Sequence, residues 1–187
     1  MRIKESKLVY EGWTRFLVLE VDSPDGHRMT RAVLDHGESA CVLPYDVERG
    51  TALLVSQQRM PKLYLGQPEP SLEAIAGRIE PEEAVEESIR REAEEEAGLR
   101  LRELEPVATC WVSPGVSTER IHLFLAAYTA ADRTGPGGGR AEELEEIEVK
   151  ELALLELARR ADLGSITDAK TMLLIQTLRL RRPDLFA

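Results

Sequence analysis

Apolar positions along the chain fall mainly into short runs bounded by turn residues, which predicts strands, and only three stretches keep helical spacing. Residues 7–22 and 28–34 are rich in Val, Leu, Phe and Trp and are separated by Ser23-Pro24-Asp25-Gly26, a turn signal. They predict an N-terminal hairpin or small antiparallel sheet. Ala40–Leu43 and Thr51–Ser56 read as two further short strands, and Pro61 to Pro70, rich in Pro and Gly, as a loop. Leu72–Ala76 predicts a short strand running into Gly77. Residues 82–97 have helical spacing, with Pro81 suited to the first helical position and Gly98 to the stop. Val107–Val112 and Ile121–Tyr128 follow as strands. Asp132–Arg140 has the composition of a mobile loop, Ile147–Leu152 of a strand, and Leu154–Asp162 and Asp168–Arg181 of helices.

No repeat appears, and no linker is long enough to separate two large domains. The expected class is α+β, a mixed β-sheet sandwiched between helices, with a small N-terminal antiparallel β-sheet. We divide the chain into an N-terminal β region over 1–38 and a main domain over 39–187.

Composition narrows the function classes. The 187 residues are 43% hydrophobic, enough to bury a core. The two cysteines, Cys41 and Cys110, stand too far apart and are too few for a disulfide scaffold or a four-cysteine zinc site. No apolar run approaches the roughly 18 residues that span a bilayer, and the first residues, Met-Arg-Ile-Lys-Glu-Ser, lack a signal-peptide core. A soluble cytoplasmic protein without a membrane partner is expected. The net charge of −10 argues against nucleic acid as a partner, since a phosphate-binding surface needs the opposite sign. The acid is concentrated: Gly77 to Leu99 holds nine Glu against three Arg.

Within that segment Glu92 and Glu96 continue the stripe begun by Val85 and Ile89. Carboxylates on the core-facing stripe of a helix are costly, and one turn apart they repel. Arginine partners or a hard cation such as Mg²⁺, which takes oxygen ligands, offset the cost. A solvated acidic face is the plainer alternative.

The letters around these carboxylates decide the weighing. Gly77, Glu83, Arg91, Glu92, Glu95, Glu96 and Gly98 fall at the seven fixed positions of the pattern GX5EX7REUXEEXGU, with Ala93 and Leu99 acceptable as the aliphatic U. The segment 77–99 thus resembles the Nudix box of the Nudix hydrolases. The resemblance implies the Nudix fold and hydrolysis of a nucleoside diphosphate linked to another group, with Mg²⁺ or Mn²⁺ as cofactor. It implies Glu92, Glu95 and Glu96 as metal ligands, together with the carbonyl of Ala76, just before the box glycine Gly77. Glu83 and Arg91 are implied as supports that pair and orient the helix.

Other segments resemble the ADP-ribose pyrophosphatase branch: Leu72 to Gly77, Ser113-Pro114-Gly115 with Glu119, and Glu143-Leu144-Glu145-Glu146-Ile147. The Gly137–Gly139 triplet, the Ile121–Phe124 strand and Asp168-Ala169-Lys170-Thr171 look more like the branch's GDP-mannose hydrolases. The expected activity is therefore hydrolysis of a nucleoside-diphosphate sugar, ADP-ribose first and GDP-mannose as the alternative. A nucleotide-sugar sensor that binds without cutting is the competitor from another class. In this branch an acidic loop outside the box supplies a ligand and a base, which match Glu145 and Glu143, with Glu119 as the rival base. Arg59 matches the last position of an Arg-Gln-x-Arg substrate-contacting stretch, whose first arginine is replaced here by Ser56. Glu73 reads as a ribose or base contact, or equally as a buried structural carboxylate. The resemblance also implies a homodimer formed through the N-terminal strands.

Overall fold

The computed structural model describes residues 1–140 and 146–187. The chain divides into two compact units, one of Met1–Ser39 with Thr109–Ile121 and one of Ala40–Ala108 with His122–Ala187.

In the first unit, β1 (Arg2–Glu11), β2 (Arg15–Asp22) and β3 (Arg28–Asp35) form an antiparallel three-stranded sheet. The stretch 7–22 is thus parts of two strands: Gly12-Trp13-Thr14 breaks it, and Glu11 pairs with Arg15 across the break. At the next turn Ser23 N–H bonds to the His27 carbonyl at 2.8 Å, and Gly26 takes the left-handed φ of 87° that makes the reversal possible.

The larger sheet runs in the order β10 (Ile147–Ala153), β5 (Thr51–Gln57), β4 (Glu38–Asp46), β9 (Arg120–Ala127), β8 (Glu105–Trp111). Two short strands flank it: β6 (Ser71–Glu73) pairs with β5, and β7 (Ile75–Arg78) with β4. The stretch predicted as one strand over Leu72–Ala76 is therefore two, interrupted at Ala74. Four consecutive residues of β4, Ala40 to Leu43, are fully buried, as are Ala52 to Val55 of β5. Because successive strand side chains point to opposite faces, both faces of these strands are covered. One is covered by α2 (Val85–Ala97), whose Ile89, Ala93 and Ala97 pack with Val42, Leu53, Val55, Ile75 and Phe124. The helices α3 (Leu154–Asp162) and α4 (Ala169–Arg181) complete the α+β architecture.

Three further expectations need correction. Met60–Tyr64 forms a short helix, α1, inside the stretch predicted as loop; none of its residues is buried. Pro81 does not open α2. Glu82 has a left-handed φ of 67°, which is not helical, so the chain turns there and the helix begins at Val85. The Gly-rich stretch after Asp132 is tied down over its described part. The last carbonyls of a helix lack partners within it, and here the loop supplies them. Gly138 N–H bonds to the Glu96 carbonyl at 2.9 Å, Gly139 to Glu95 at 3.1 Å and Thr134 to Gly98 at 2.7 Å. A Cβ on Gly137 would lie 2.4 Å from the Glu96 carbonyl oxygen, so only glycine permits this approach.

Candidate active site

The second unit holds two clusters of ionised side chains. The first lies on α2. Burying Ile89, Ala93 and Ala97 on the sheet fixes the rotation of the helix, and Glu96 is carried under it, 3% exposed. Its Oε2 accepts a hydrogen bond from the Ala76 N–H at 3.4 Å, which ties the helix to β7. Gly77, next along β7, faces Glu92 so closely that a Cβ there would lie 1.9 Å from the carboxylate. The box glycine is thus a cradle for an acid.

Arg91 organises the rest. It grips Glu83 with two bonds, Nε–Oε1 at 2.9 Å and Nη2–Oε2 at 3.0 Å, and its Nη1 reaches Glu92 at 2.7 Å and Glu95 at 3.1 Å. The guanidinium holds the Glu83 carboxyl down at a pKa of about 2. Arg140, from the docked loop, stands 3.8 Å from Glu95. Arg91 is thus divided among Glu83, Glu92 and Glu95, with Arg140 near the last. Among the described residues no three His, Cys, Asp or Glu side chains are already gathered into a metal cage. The donor set nevertheless fits a hard divalent cation, since all of it is carboxylate oxygen.

The second cluster joins three elements, the start of α1, β6 and the start of α4. Arg59 grips Glu73 at the end of β6 through Nε and Nη2, both at 2.8 Å. Lys170 Nζ bonds to Glu73 and, at 2.7 Å, to Asp168, which caps α4 by accepting from Thr171 N–H at 2.9 Å. The Thr171 hydroxyl receives the Ala74 N–H at 2.7 Å. Burial works against the charge of Glu73, but the Arg59 guanidinium and Lys170 ammonium outweigh it and hold the carboxyl at about 2.

Of the residues singled out from the sequence, the structure gathers Ala76, Gly77, Glu83, Arg91, Glu92, Glu95 and Glu96 into the first cluster and Arg59 with Glu73 into the second. Glu119 belongs to the first unit, where it accepts a bond from the Ser39 hydroxyl at 2.7 Å and faces His36. Glu143 and Glu145 lie outside the described residues. Sequence reasoning assigned no part to Lys170, Asp168 or Arg140. The Asp168-to-Thr171 spacing of a helix cap was visible for the first two, but their partner Glu73 lies 97 residues from Lys170.

Residues 35–170 match the NUDIX domain. The chain belongs to the NUDIX family. Among its relatives, "GDP-mannose pyrophosphatase" of Cronobacter sakazakii is 42% identical over 170 residues, covering 89% of this chain and 87% of that one. The protein of the same name from Pectobacterium atrosepticum is 37% identical over 179 residues, 93% and 91% of the two chains. A solved structure described as an ADP compounds hydrolase superposes with a TM-score of 0.77 over 98% of this chain and 94% of that one, at 16% identity, and so shares the NUDIX fold. Nudix hydrolases generally use divalent metals, and no helix of this one is long and apolar enough to cross a membrane.

Proposed function

We propose that this Nudix hydrolase cleaves the pyrophosphate of a nucleoside-diphosphate sugar, with GDP-mannose the foremost substrate, to a nucleoside monophosphate and a sugar phosphate. The observation that carries the reading is the 35–42% identity to proteins named GDP-mannose pyrophosphatase, on a chain whose acidic helix keeps every fixed residue of the box. ADP-ribose is the second reading, favoured by the Leu72–Gly77 and Ser113–Gly115 segments.

Glu92, Glu95 and Glu96, with the Ala76 carbonyl and Glu145, are the residues we assign to holding Mg²⁺ or Mn²⁺. The cation, when bound, neutralises charge on the pyrophosphate and makes water more acidic. Arg91 and Glu83 keep the α2 carboxylates in place, and Gly77 leaves them room. Glu143 takes the proton of the water that attacks phosphorus, with Glu119 as the alternative base. Arg59 and Glu73 contact the substrate. The intact carboxylate set favours an enzyme over a sensor.

We further propose a homodimer built through the N-terminal strands, supported by the exposure of Ile3, Leu8, Val9 and Tyr10 along β1. The unpaired Cys41 and Cys110 fit a reducing, cytoplasmic setting.

Phosphate-coupled turnover of GDP-mannose, ADP-ribose, ADP-glucose and FAD, with Mg²⁺ and with EDTA, tests the reading. Selective, chelator-sensitive cleavage of a nucleotide sugar is expected; tight binding without cleavage would establish the sensor instead. Glu143→Gln is expected to lower kcat by about 10²–10⁴-fold with Mn²⁺ binding kept. The same loss in Glu119→Gln alone would transfer the role.

A further inference from the structure

The first unit holds a basic nitrogen that has an acid before it and no bond to it. His36 lies on the short link between β3 and β4, and its Nδ1 is shut off from solvent and makes no hydrogen bond. That nitrogen stands 4.0 Å from Glu119 Oε1, the atom that accepts from the Ser39 hydroxyl at 2.7 Å. The Trp13 indole meets the imidazole edge-on, with ring centres 4.8 Å apart. Around the pair runs a seam between the end of β3 and residues 116–119. Leu34 N–H bonds to the Val116 carbonyl at 2.7 Å, Thr118 N–H to the Leu34 carbonyl at 2.9 Å, and His36 N–H to the Thr118 hydroxyl oxygen at 3.0 Å. All of these residues belong to the first unit.

The other charges near the imidazole already have opposite partners. Asp35, its neighbour in the chain, is held by the Arg15 guanidinium and by the Thr118 hydroxyl at 2.9 Å. Glu38 pairs with Arg120 at 3.1 Å. Glu119 differs: among the described residues its carboxylate is bonded to a neutral hydroxyl, and the basic group it faces is His36. A bare lone pair on Nδ1 would point at that carboxylate, so the neutral ring keeps its proton there. Some 18% of the side chain stays exposed, and with Nδ1 sealed the open part is the rest of the ring, through which a second proton reaches Nε2. That proton makes the ring a cation beside an acid in a setting mostly screened from water, where the attraction exceeds that of a surface pair.

We propose that His36 and Glu119 form a pH-operated latch: the charged imidazolium draws the Glu119 carboxylate onto the β3–β4 link and tightens the seam, and the neutral ring releases it. Imidazole is the side chain whose charge changes between about pH 5 and 8. A base that gains an acidic partner on folding adds stability while it is charged, and that stability is lost as the pH rises through its titration. The seam is therefore firmer on the acid side of neutrality. The latch needs neither substrate nor metal.

Trp13 supplies the first readout, because an imidazolium quenches an adjacent indole more strongly than a neutral imidazole does. The chain's other tryptophan is Trp111, so Trp111→Phe isolates the signal. In that background Trp13 fluorescence is expected to fall as the pH is lowered from about 8 to about 5.5. His36→Gln abolishes the fall, and Glu119→Gln moves it to lower pH. The second readout is hydrogen exchange at the Leu34 and Thr118 amides, expressed as protection factors. In the wild type these rise about tenfold over the same interval, the size of one charge-assisted bond, while amides of the β1–β2 ladder stay level. The rise disappears in His36→Gln and in Glu119→Gln. Wild-type protection that does not change with pH overturns the latch, and so does a rise that survives in either variant. A fluorescence fall at the same pH with and without the Glu119 charge overturns it too. The wild-type exchange measurement decides by itself should a variant fail to fold.

Discussion

Two groups of acids in the same unit are treated in opposite ways. Around Glu73 the charges pair off: Arg59 and Lys170 meet Glu73 and Asp168. On α2 one guanidinium is shared, Arg91 among Glu83, Glu92 and Glu95, with Arg140 near Glu95. A balanced buried cluster has nothing left to offer a metal; it joins Arg59 before α1, β6 and the start of α4 into one body. Carboxylates that share one guanidinium repel one another, and a divalent ion would relieve that repulsion. The difference lies in how each acid is compensated: a carboxylate with cations of its own is fixed in place, whereas carboxylates that share one leave room for a further cation.

The contrast can be broken most severely by removing metal. EDTA is expected to abolish turnover of the nucleotide sugar, with Mg²⁺ or Mn²⁺ restoring it. Persistent activity in the chelator would mean that the α2 carboxylates need no cation. Next in size is Glu73→Gln, which leaves Lys170 and Arg59 with one acid between them. A loss of about 3 kcal/mol in urea-denaturation stability is expected, because breaking a buried pair strands its partner charge. A loss below about 0.5 kcal/mol would return Glu73 to the ordinary surface acids. The pH profile sharpens the same point. With a folded pKa of about 2 against an ordinary 4.5, Glu73 stabilises fully above the ordinary value, and that stability drains as pH falls from 4.5 towards 2. The gap between wild type and Glu73→Gln should therefore close across that window.

For the α2 cluster the signs reverse. Glu95→Gln is expected to weaken Mn²⁺ binding, read by electron paramagnetic resonance, by about tenfold or more. Its unfolding midpoint should hold or rise as like charges are thinned. A fall in the midpoint with unchanged Mn²⁺ affinity would make Glu95 another strut. The smallest effect is Arg140→Ala. Its 3.8 Å contact with Glu95 is half exposed and long, so stability should move by no more than about 0.5 kcal/mol.

These two clusters also differ in how far the sequence exposes them. Glu92, Glu95 and Glu96 share one helix with Arg91, and a local spacing carries both the geometry and the chemistry. The pairing of Glu83 with Arg91 is local too, eight residues apart. The Glu73 cluster draws on Arg59, Glu73 and Lys170, which only the sheet and α4 bring together, so periodicity contains no trace of it. The strands and helices were legible because their apolar runs decide burial. The start of α2 was not, since the left-handed turn at Glu82 overrides the preference of Pro81 for a first helical turn. Nor was α1, whose five residues bury nothing and leave no amphipathic signal. The docking of the Gly-rich loop was hidden for a further reason: its bonds to Glu95, Glu96 and Gly98 come from backbone N–H groups, which every residue but proline possesses.

That last feature bears on how the protein tolerates change. A clasp made from main-chain bonds is indifferent to most side chains and sensitive to length. Through residues 133–140, substitutions away from Gly137, Gly138 and Gly139, whose φ values of 71°, 121° and 79° suit only glycine, should accumulate with little penalty. A single inserted or deleted residue would shift Gly138 and Gly139 off the Glu96 and Glu95 carbonyls together, uncapping the helix end that bears the acids we assign to the metal. Libraries that vary this loop should keep its length constant.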